Sequence, residues 1–155
     1  MSFSVWVTGA DPALVEATAD AIAARLAARD VPHEVLDPRT PGVGDLPRPG
    51  AEPCVRLVVD ALARHGVASV VALPLTADGA RAAGTRMIEV HVRGGEPPGY
   101  EPPERPEVEL EHPGAVERVI GTLEVLGLLP RGADPSYTAD EEREVIRRLK
   151  AFGYL

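Results

Sequence analysis

The sequence predicts an α/β fold of three layers, α/β/α, with a mostly parallel sheet of about five strands between layers of helices. Short apolar runs alternate with segments of helical periodicity along the first 130 residues. That alternation is typical of parallel strands joined by right-handed helical crossovers. The run VASVVALPL at 67–75 is apolar throughout, as expected of a central strand that is covered on both faces. The length of 155 residues suits one such domain.

Each element has a local signal. Asp11 followed by Pro12 is an N-cap acceptor followed by a proline at the first helical position, so the first helix begins there. The density of proline and glycine at 38–53 and 93–106 predicts loops. The predicted strands are 3–8, 31–37, 67–75, 87–92 and 107–110. The predicted helices are 12–29, 54–66, a short one within 76–86, and 113–129.

The last 25 residues differ from the rest, which suggests an α/β domain at 1–130 and a linker with an amphipathic helix at 131–155. Thr138 and Glu141 have the spacing of a capping box at the start of that helix. A helix this short is not stable alone in water, so it either covers its own domain or docks on another chain. The residues expected to dock on a partner are Val145, Leu149, Phe152, Tyr154 and Leu155.

Composition excludes several classes of function. The net charge of −8 argues against a nucleic-acid backbone or an anionic membrane surface as partner. The single cysteine, Cys54, excludes an internal disulfide and suits a reducing compartment; we expect it to be a small buried hydrophobe. No run is long enough to span a membrane, and the N-terminus does not read as a signal peptide, so a cytoplasmic location is predicted. The four histidines share no metal-ligand spacing, so no metal site is predicted.

The carboxyl ends of parallel strands form the usual ligand crevice of such folds. Here that edge is predicted to gather a set of low-specificity candidates that could still hold a small anion or a nucleotide-like ligand. They are Gly9, Asp11, Asp37, Thr76 and Arg81.

The first strand, turn and helix have the outline of a phosphate-binding loop without its functional residues. Such a loop reads G-x-x-x-x-G-K-[ST], in which the lysine neutralises phosphate oxygens and the hydroxyl binds Mg²⁺. Counted from Gly9, the second glycine is Leu14, the lysine is Val15 and the hydroxyl is Glu16. Pro12 also lacks an N–H donor. Ordinary Mg-ATP binding is therefore not expected, and no catalytic residue is predicted.

The segment GYEPPERPEVELEHPGAVERVIGTLEVLGLLP resembles the C-terminal part of adenylylsulfate (APS) kinases, which have a P-loop kinase fold. The motif is carried by Tyr100, Glu101, Pro103, Pro106 and Glu107. The stretches VWVTG, HEVLD and MIEVHV also look like strands of that family. The resemblance runs in order from about residue 3 to residue 130.

Departures from the family are equally informative. The resemblance implies two acidic residues after the second strand, and this chain has Asp37 but Arg39 in their places. It also implies a long basic lid before Tyr100, where this chain has only residues 93–99. A lid that excludes water from phosphoryl transfer is then absent. The tail YTADEEREVIRRLKAFGYL resembles the C-terminal segment of sulfatase- and alkaline-phosphatase-like chains.

Three hypotheses follow. The first is a degenerate APS-kinase-like domain, a pseudo-kinase without cofactor, that acts as a binding, assembly or regulatory module in a sulfur-related or biosynthetic context. The second is an active APS or nucleotide kinase with a non-standard phosphate loop, which would use ATP and Mg²⁺. The third is a structural subunit that forms a homodimer.

Overall fold

The computed structural model of this chain describes residues 2–46, 51–75, 86–132 and 137–154. The strands are β1 (Ser4–Thr8), β2 (His33–Leu36), β3 (Ala68–Val71), β4 (Met87–Val92) and β5 (Val108–Leu110). The helices are α1 (Pro12–Ala27), α2 (Ala51–Arg64), α3 (Glu117–Val125) and α4 (Ala139–Ala151), with a 3₁₀ turn at Pro113–Ala115. The predicted α/β fold is confirmed.

The five strands form one parallel sheet in the order β2-β3-β1-β4-β5. The central strand is β1, in which Val5 is level with Val70 on one side and Ile88 on the other. Because all strands run the same way, the carboxyl ends of β1, β3 and β4 meet at one edge of the sheet. The predicted edge strand at 107–110 is confirmed, since β5 pairs with β4 alone in the sheet.

Helices cover both faces of the sheet because side chains alternate along each strand. On β1, Val5 and Val7 belong to the core shared with α1 and α3, which includes Ile22 and Leu123. Trp6 belongs to the opposite core, which lies under α2. The three predicted layers are therefore present.

Some boundaries differ from the predicted ones. Helix α2 begins at Ala51, three residues before the predicted start, because Pro53 falls in its first turn, where proline is tolerated. Strand β3 ends at Val71 and does not reach 75, and Pro74 could not donate to a neighbouring strand. The predicted helix at 113–129 is divided into the 3₁₀ turn and α3. The short helix expected within 76–86 falls almost entirely outside the described residues.

Two further expectations concern the burial of Cys54 and the capping box of α4. The prediction that Cys54 is buried is wrong, since it is exposed on α2. The capping box of α4 is confirmed, because Thr138 Oγ1 accepts the Glu141 N–H and the Glu141 carboxylate accepts the Thr138 N–H at 2.8 Å. Within the described residues, no helix is both long and apolar enough to cross a membrane.

Candidate functional site

The connection between β1 and α1 is only three residues long, from Gly9 to Asp11. A Cβ atom built on Gly9 would lie 2.9 Å from Val15 Cγ2 and 2.9 Å from the carbonyl oxygen of Val92. Glycine is needed here because α1 and the end of β4 approach the loop closely. The glycine thus serves packing, which is a different reason from the one that a phosphate-binding loop has.

The start of α1 is capped by the chain's own carboxylate. Asp11 Oδ1 accepts the Ala13 N–H at 2.9 Å, and the Asp11 carbonyl oxygen accepts the Val15 N–H at 3.1 Å. Pro12 has no N–H to offer. A helix start attracts an anion through its free N–H groups, and here Asp11 occupies that position as a covalently attached anion.

The short segment 93–99 passes over this helix start. A Cβ built on Gly95, whose φ is +69°, would lie 2.9 Å from Asp11 Cβ. Glu96 accepts the Gly94 N–H at 2.8 Å, and that backbone hydrogen bond is the main reason that the pKa of Glu96 is lowered. The segment therefore closes the loop region tightly and adds another carboxylate to it.

Asp37 at the end of β2 is held by Arg39. The Asp37 side chain is 2% exposed, and Arg39 reaches its Oδ2 atom from Nε at 3.0 Å and from Nη2 at 2.5 Å. Burial by itself raises the pKa of Asp37, but the hydrogen bonds and charge of Arg39 outweigh it and the net pKa is lowered. Arg39 also pairs with Asp20 at 2.7 Å and Glu16 at 3.2 Å on α1. Its guanidinium is thus surrounded by carboxylates of the chain.

A cavity of about 720 Å³ lies at the carboxyl edge of the sheet. Its walls come from the C-terminal end of β1, the N-terminal end of α1, residues 72–75 after β3, and the proline-rich segment around Tyr100. Four carboxylates line it, with a single arginine among the described lining residues. They are Glu16, Glu89, Glu101 and Glu104, with Arg105. The volume suits a small organic molecule, and the charge disfavours a polyphosphate.

Polar side chains of β1 and β4 meet at the floor of this cavity. Thr8 Oγ1 donates to Glu89 Oε2 at 3.1 Å and lies 3.2 Å from His91 Nδ1. The His91 ring is 1% exposed and stacks on Tyr100, with centroids 6.0 Å apart. Burial is the main cause that lowers the pKa of His91 and raises that of Tyr100. His91 is thus favoured in its neutral form.

Glu107 is a second buried carboxylate, 4% exposed, just before β5. One of its oxygens accepts the backbone N–H of Glu89, and the other accepts the hydroxyl of Tyr154. The Arg148 guanidinium donates to the Pro106 carbonyl oxygen at 3.0 Å. Arg148 near the end of α4 and Tyr154 just after the helix are therefore bonded to the segment that leads into β5.

The predicted docking stripe lies largely against its own domain. Leu149 is 1% exposed and Tyr154 bonds to Glu107, so these two side chains are engaged within the chain. Val145 and Phe152 are partly buried, and Leu155 lies outside the described residues. Docking of this stripe on a partner stays a prediction.

The predicted crevice residues are only partly brought together. Gly9 lines the cavity, Asp11 caps the adjoining helix, and Asp37 lies beside Pro38 at the same edge. Thr76 and Arg81 lie outside the described residues. Among the residues that the structure does describe, no group of three histidine, cysteine or acidic side chains is placed to hold a metal ion.

Glu89 and His91 were not predicted as site residues. A signal was present, because both lie two apart in MIEVHV, a strand that is otherwise apolar and buried. Polar side chains in such a strand need buried partners. Glu89 and His91 both find a partner in the Thr8 hydroxyl at the cavity floor. Glu107 was noted only as part of a family motif.

Comparison with known proteins identifies the fold. No protein-family model matches the chain, and no curated protein matches it. Solved structures do match. A hexameric APS kinase from Thiobacillus denitrificans gives a TM-score of 0.57 at 20% identity over all of this chain and 30% of that chain. The APS kinase CysC of Mycobacterium tuberculosis, as a cysteine-to-alanine mutant, gives 0.54 at 22% identity over 96% of this chain and 97% of that chain. This chain has the fold of an APS kinase.

A further solved structure, the crystal structure of APE1195, gives a TM-score of 0.56 at 21% identity over 71% of this chain and 85% of that chain. At these identities the likeness is one of fold. It supports the P-loop kinase-like architecture and leaves the chemistry of the crevice to be argued from the residues above.

Proposed function

We propose that this chain is an APS-kinase-like domain that has lost phosphoryl transfer and serves as a binding, assembly or regulatory module in a sulfur-related or biosynthetic context. The observation that carries the proposal is the start of α1. Asp11 caps the helix where a phosphate would bind, and the lysine and hydroxyl positions hold Val15 and Glu16. The module works without ATP and Mg²⁺.

Charge supports the same conclusion. Arg39, a cation beside the crevice, is committed to three carboxylates. A triphosphate brought to this edge would meet Asp11, Glu16 and Glu89 with no lysine to offset them, and Mg²⁺ would find no hydroxyl at position 16. Of the ligands that the edge could take, a polyphosphate is the least favoured.

Isothermal titration with Mg-ATP, ADP and APS tests the proposal. We expect no binding tighter than millimolar to the wild-type chain. The matched variant Asp11→Asn keeps the capping oxygen and removes one charge, so any gain in affinity in that variant measures electrostatic repulsion apart from loop geometry.

The possible results separate the hypotheses. Micromolar binding with turnover would establish an active kinase with a non-standard loop. Micromolar binding without turnover would contradict the account of the occupied helix start, while a silent titration in wild type supports the proposed loss of function.

The C-terminal helix is proposed to contribute the regulatory or docking part of this function. Its outer surface is strongly charged, with ion pairs between Glu144 and Arg147 at 2.6 Å and between Asp140 and Arg143 at 2.5 Å. The resemblance of the tail to sulfatase- and alkaline-phosphatase-like chains suggests an enzyme of sulfate or phosphate-ester metabolism as partner.

A further inference from the structure

The C-terminal helix and the cavity share one stretch of chain, residues 100–107. Its first part, from Tyr100 to Arg105, forms a wall of the cavity. Its last two residues, Pro106 and Glu107, are bonded to Arg148 and Tyr154 at the end of α4. The stretch carries three prolines and no regular structure, so few backbone hydrogen bonds of its own hold it in place.

Glu107 connects the two regions through one buried and one partly buried hydrogen bond. Its carboxylate accepts the Tyr154 hydroxyl on one oxygen and the Glu89 backbone N–H on the other. Glu89 in turn accepts the Thr8 hydroxyl on the cavity floor. A buried carboxylate that loses a donor is destabilised, so the docked tail and the position of Glu107 depend on each other.

The tail is a part of the fold that can be released. Leu149 is the residue of α4 that is fully buried, and half of the other side chains of the helix are charged and exposed. Segments with little buried apolar surface open at lower free energy than the core. By contrast, β4 is buried along its whole length and its neighbour β1 is buried from Ser4 to Val7.

We propose that the C-terminal helix acts as a latch on the cavity: docked, it holds the wall 100–107 closed through Glu107, and released, it opens the cavity. A partner that captures the tail and a ligand that enters only the open cavity would then favour each other's binding, by the same factor in each direction. Glu107 is a positioning residue in this device. The inference deepens the regulatory part of the proposed function and rests on it only in treating the cavity as the binding site.

The test releases the tail and measures access to the cavity. Leu149→Glu in the full chain places a charge in the buried contact of α4. A cysteine introduced at Ala72, which lines the cavity and is 5% exposed, reports access through its rate of labelling by the neutral reagent 4,4′-dithiodipyridine in a Cys54→Ser background. The matched control is Ala19→Cys, which is fully buried under α1 and away from the tail.

We expect Leu149→Glu to speed labelling at position 72 about tenfold and to leave labelling at position 19 unchanged. Amide hydrogen exchange should rise in parallel at Glu89 and in 101–107. Tyr154→Phe, which removes one hydroxyl and leaves α4 able to dock, should give a smaller increase at the same sites.

Two results would overturn the latch. If labelling at position 72 and exchange in 101–107 stay at the wild-type rate when α4 itself exchanges freely, the tail does not control the cavity. If positions 72 and 19 accelerate together, and Tyr154→Phe has no local effect, the tail only adds global stability. Neither result depends on nucleotide titration, so the latch and the loss of kinase function can fail separately.

Discussion

The two sides of the cavity hold their acidic residues by different means. On the side of β2, Asp37 is paired with Arg39, whose side chain is 50% exposed and is shared with two carboxylates of α1. On the side of β5, one oxygen of Glu107 accepts a backbone N–H and the other accepts a tyrosine hydroxyl. On the β2 side a half-exposed arginine neutralises a buried carboxylate, and on the β5 side a buried carboxylate is held by a backbone N–H and a hydroxyl.

This difference predicts where the fold can tolerate change. Exposed ion pairs contribute little because water and salt screen them. Buried acceptors matter more, because removing one leaves its donor without a partner in a dry environment. The side of β5 should therefore be structurally sensitive, whereas on the side of β2 the half-exposed pairs of Arg39 with Glu16 and Asp20 can vary with small effects on stability.

Glu107→Ala should have the largest effect. The variant leaves the Glu89 N–H and the Tyr154 hydroxyl without their acceptor, and we expect a loss of about 3 kcal/mol in the free energy of unfolding. Glu107→Gln keeps one acceptor oxygen and should therefore lose less of the free energy of unfolding. Urea unfolding followed by circular dichroism measures both.

Glu109→Ala is the control for this variant. Glu109 lies two residues further along the chain, within β5, in a partly exposed pair with Arg93 at 2.7 Å. If this variant loses as much stability as Glu107→Ala, the contrast between buried and exposed partners does not hold.

Gly9→Ala should have an intermediate effect on stability. It tests the β1–α1 loop, which lies between the β2 side and the β5 side of the cavity. The new methyl group would press on Val15 Cγ2 and on the Val92 carbonyl oxygen, each at 2.9 Å. Overpacking of this kind costs about 2 kcal/mol. Thermal unfolding measures the loss, and Val15→Ala added to the same chain should recover part of it by removing one of the two contacts. Full stability in the single variant would show that the loop can shift, and that packing does not require this glycine.

The sequence predicted the sheet and its helices well, because strands such as SVWVT and MIEVHV are apolar and the caps at Asp11 and Thr138 are local signals. It predicted the site less well. Pairs such as Glu107 with Tyr154 lie 47 residues apart, and no periodicity reveals which distant partners a buried carboxylate finds. Cys54 shows the same limit, since helical spacing gives the relative orientation of side chains and packing alone decides which face is covered.

Arg39→Met should have the smallest effect at neutral pH, and a pH dependence that identifies its origin. The pKa of Asp37 is lowered in the folded state, so its ionised form stabilises the fold above about pH 4, the ordinary value, and that contribution is lost as the pH falls through the lower folded-state pKa. Without the Arg39 guanidinium, burial still raises the pKa of Asp37 and the backbone hydrogen bonds from residues 39 and 40 still lower it, so this pKa is less depressed than in wild type. The difference in unfolding free energy between wild type and variant should therefore be widest at pH 5–7 and narrow towards pH 3 in urea titrations.

The control is a double-mutant cycle with Asp37→Asn. In that background, the effect of Arg39→Met on stability should depend much less on pH. A gap that stays constant with pH in both backgrounds would mean that Arg39 acts through packing of its side chain, and the β2 side would then no longer differ from the β5 side in kind.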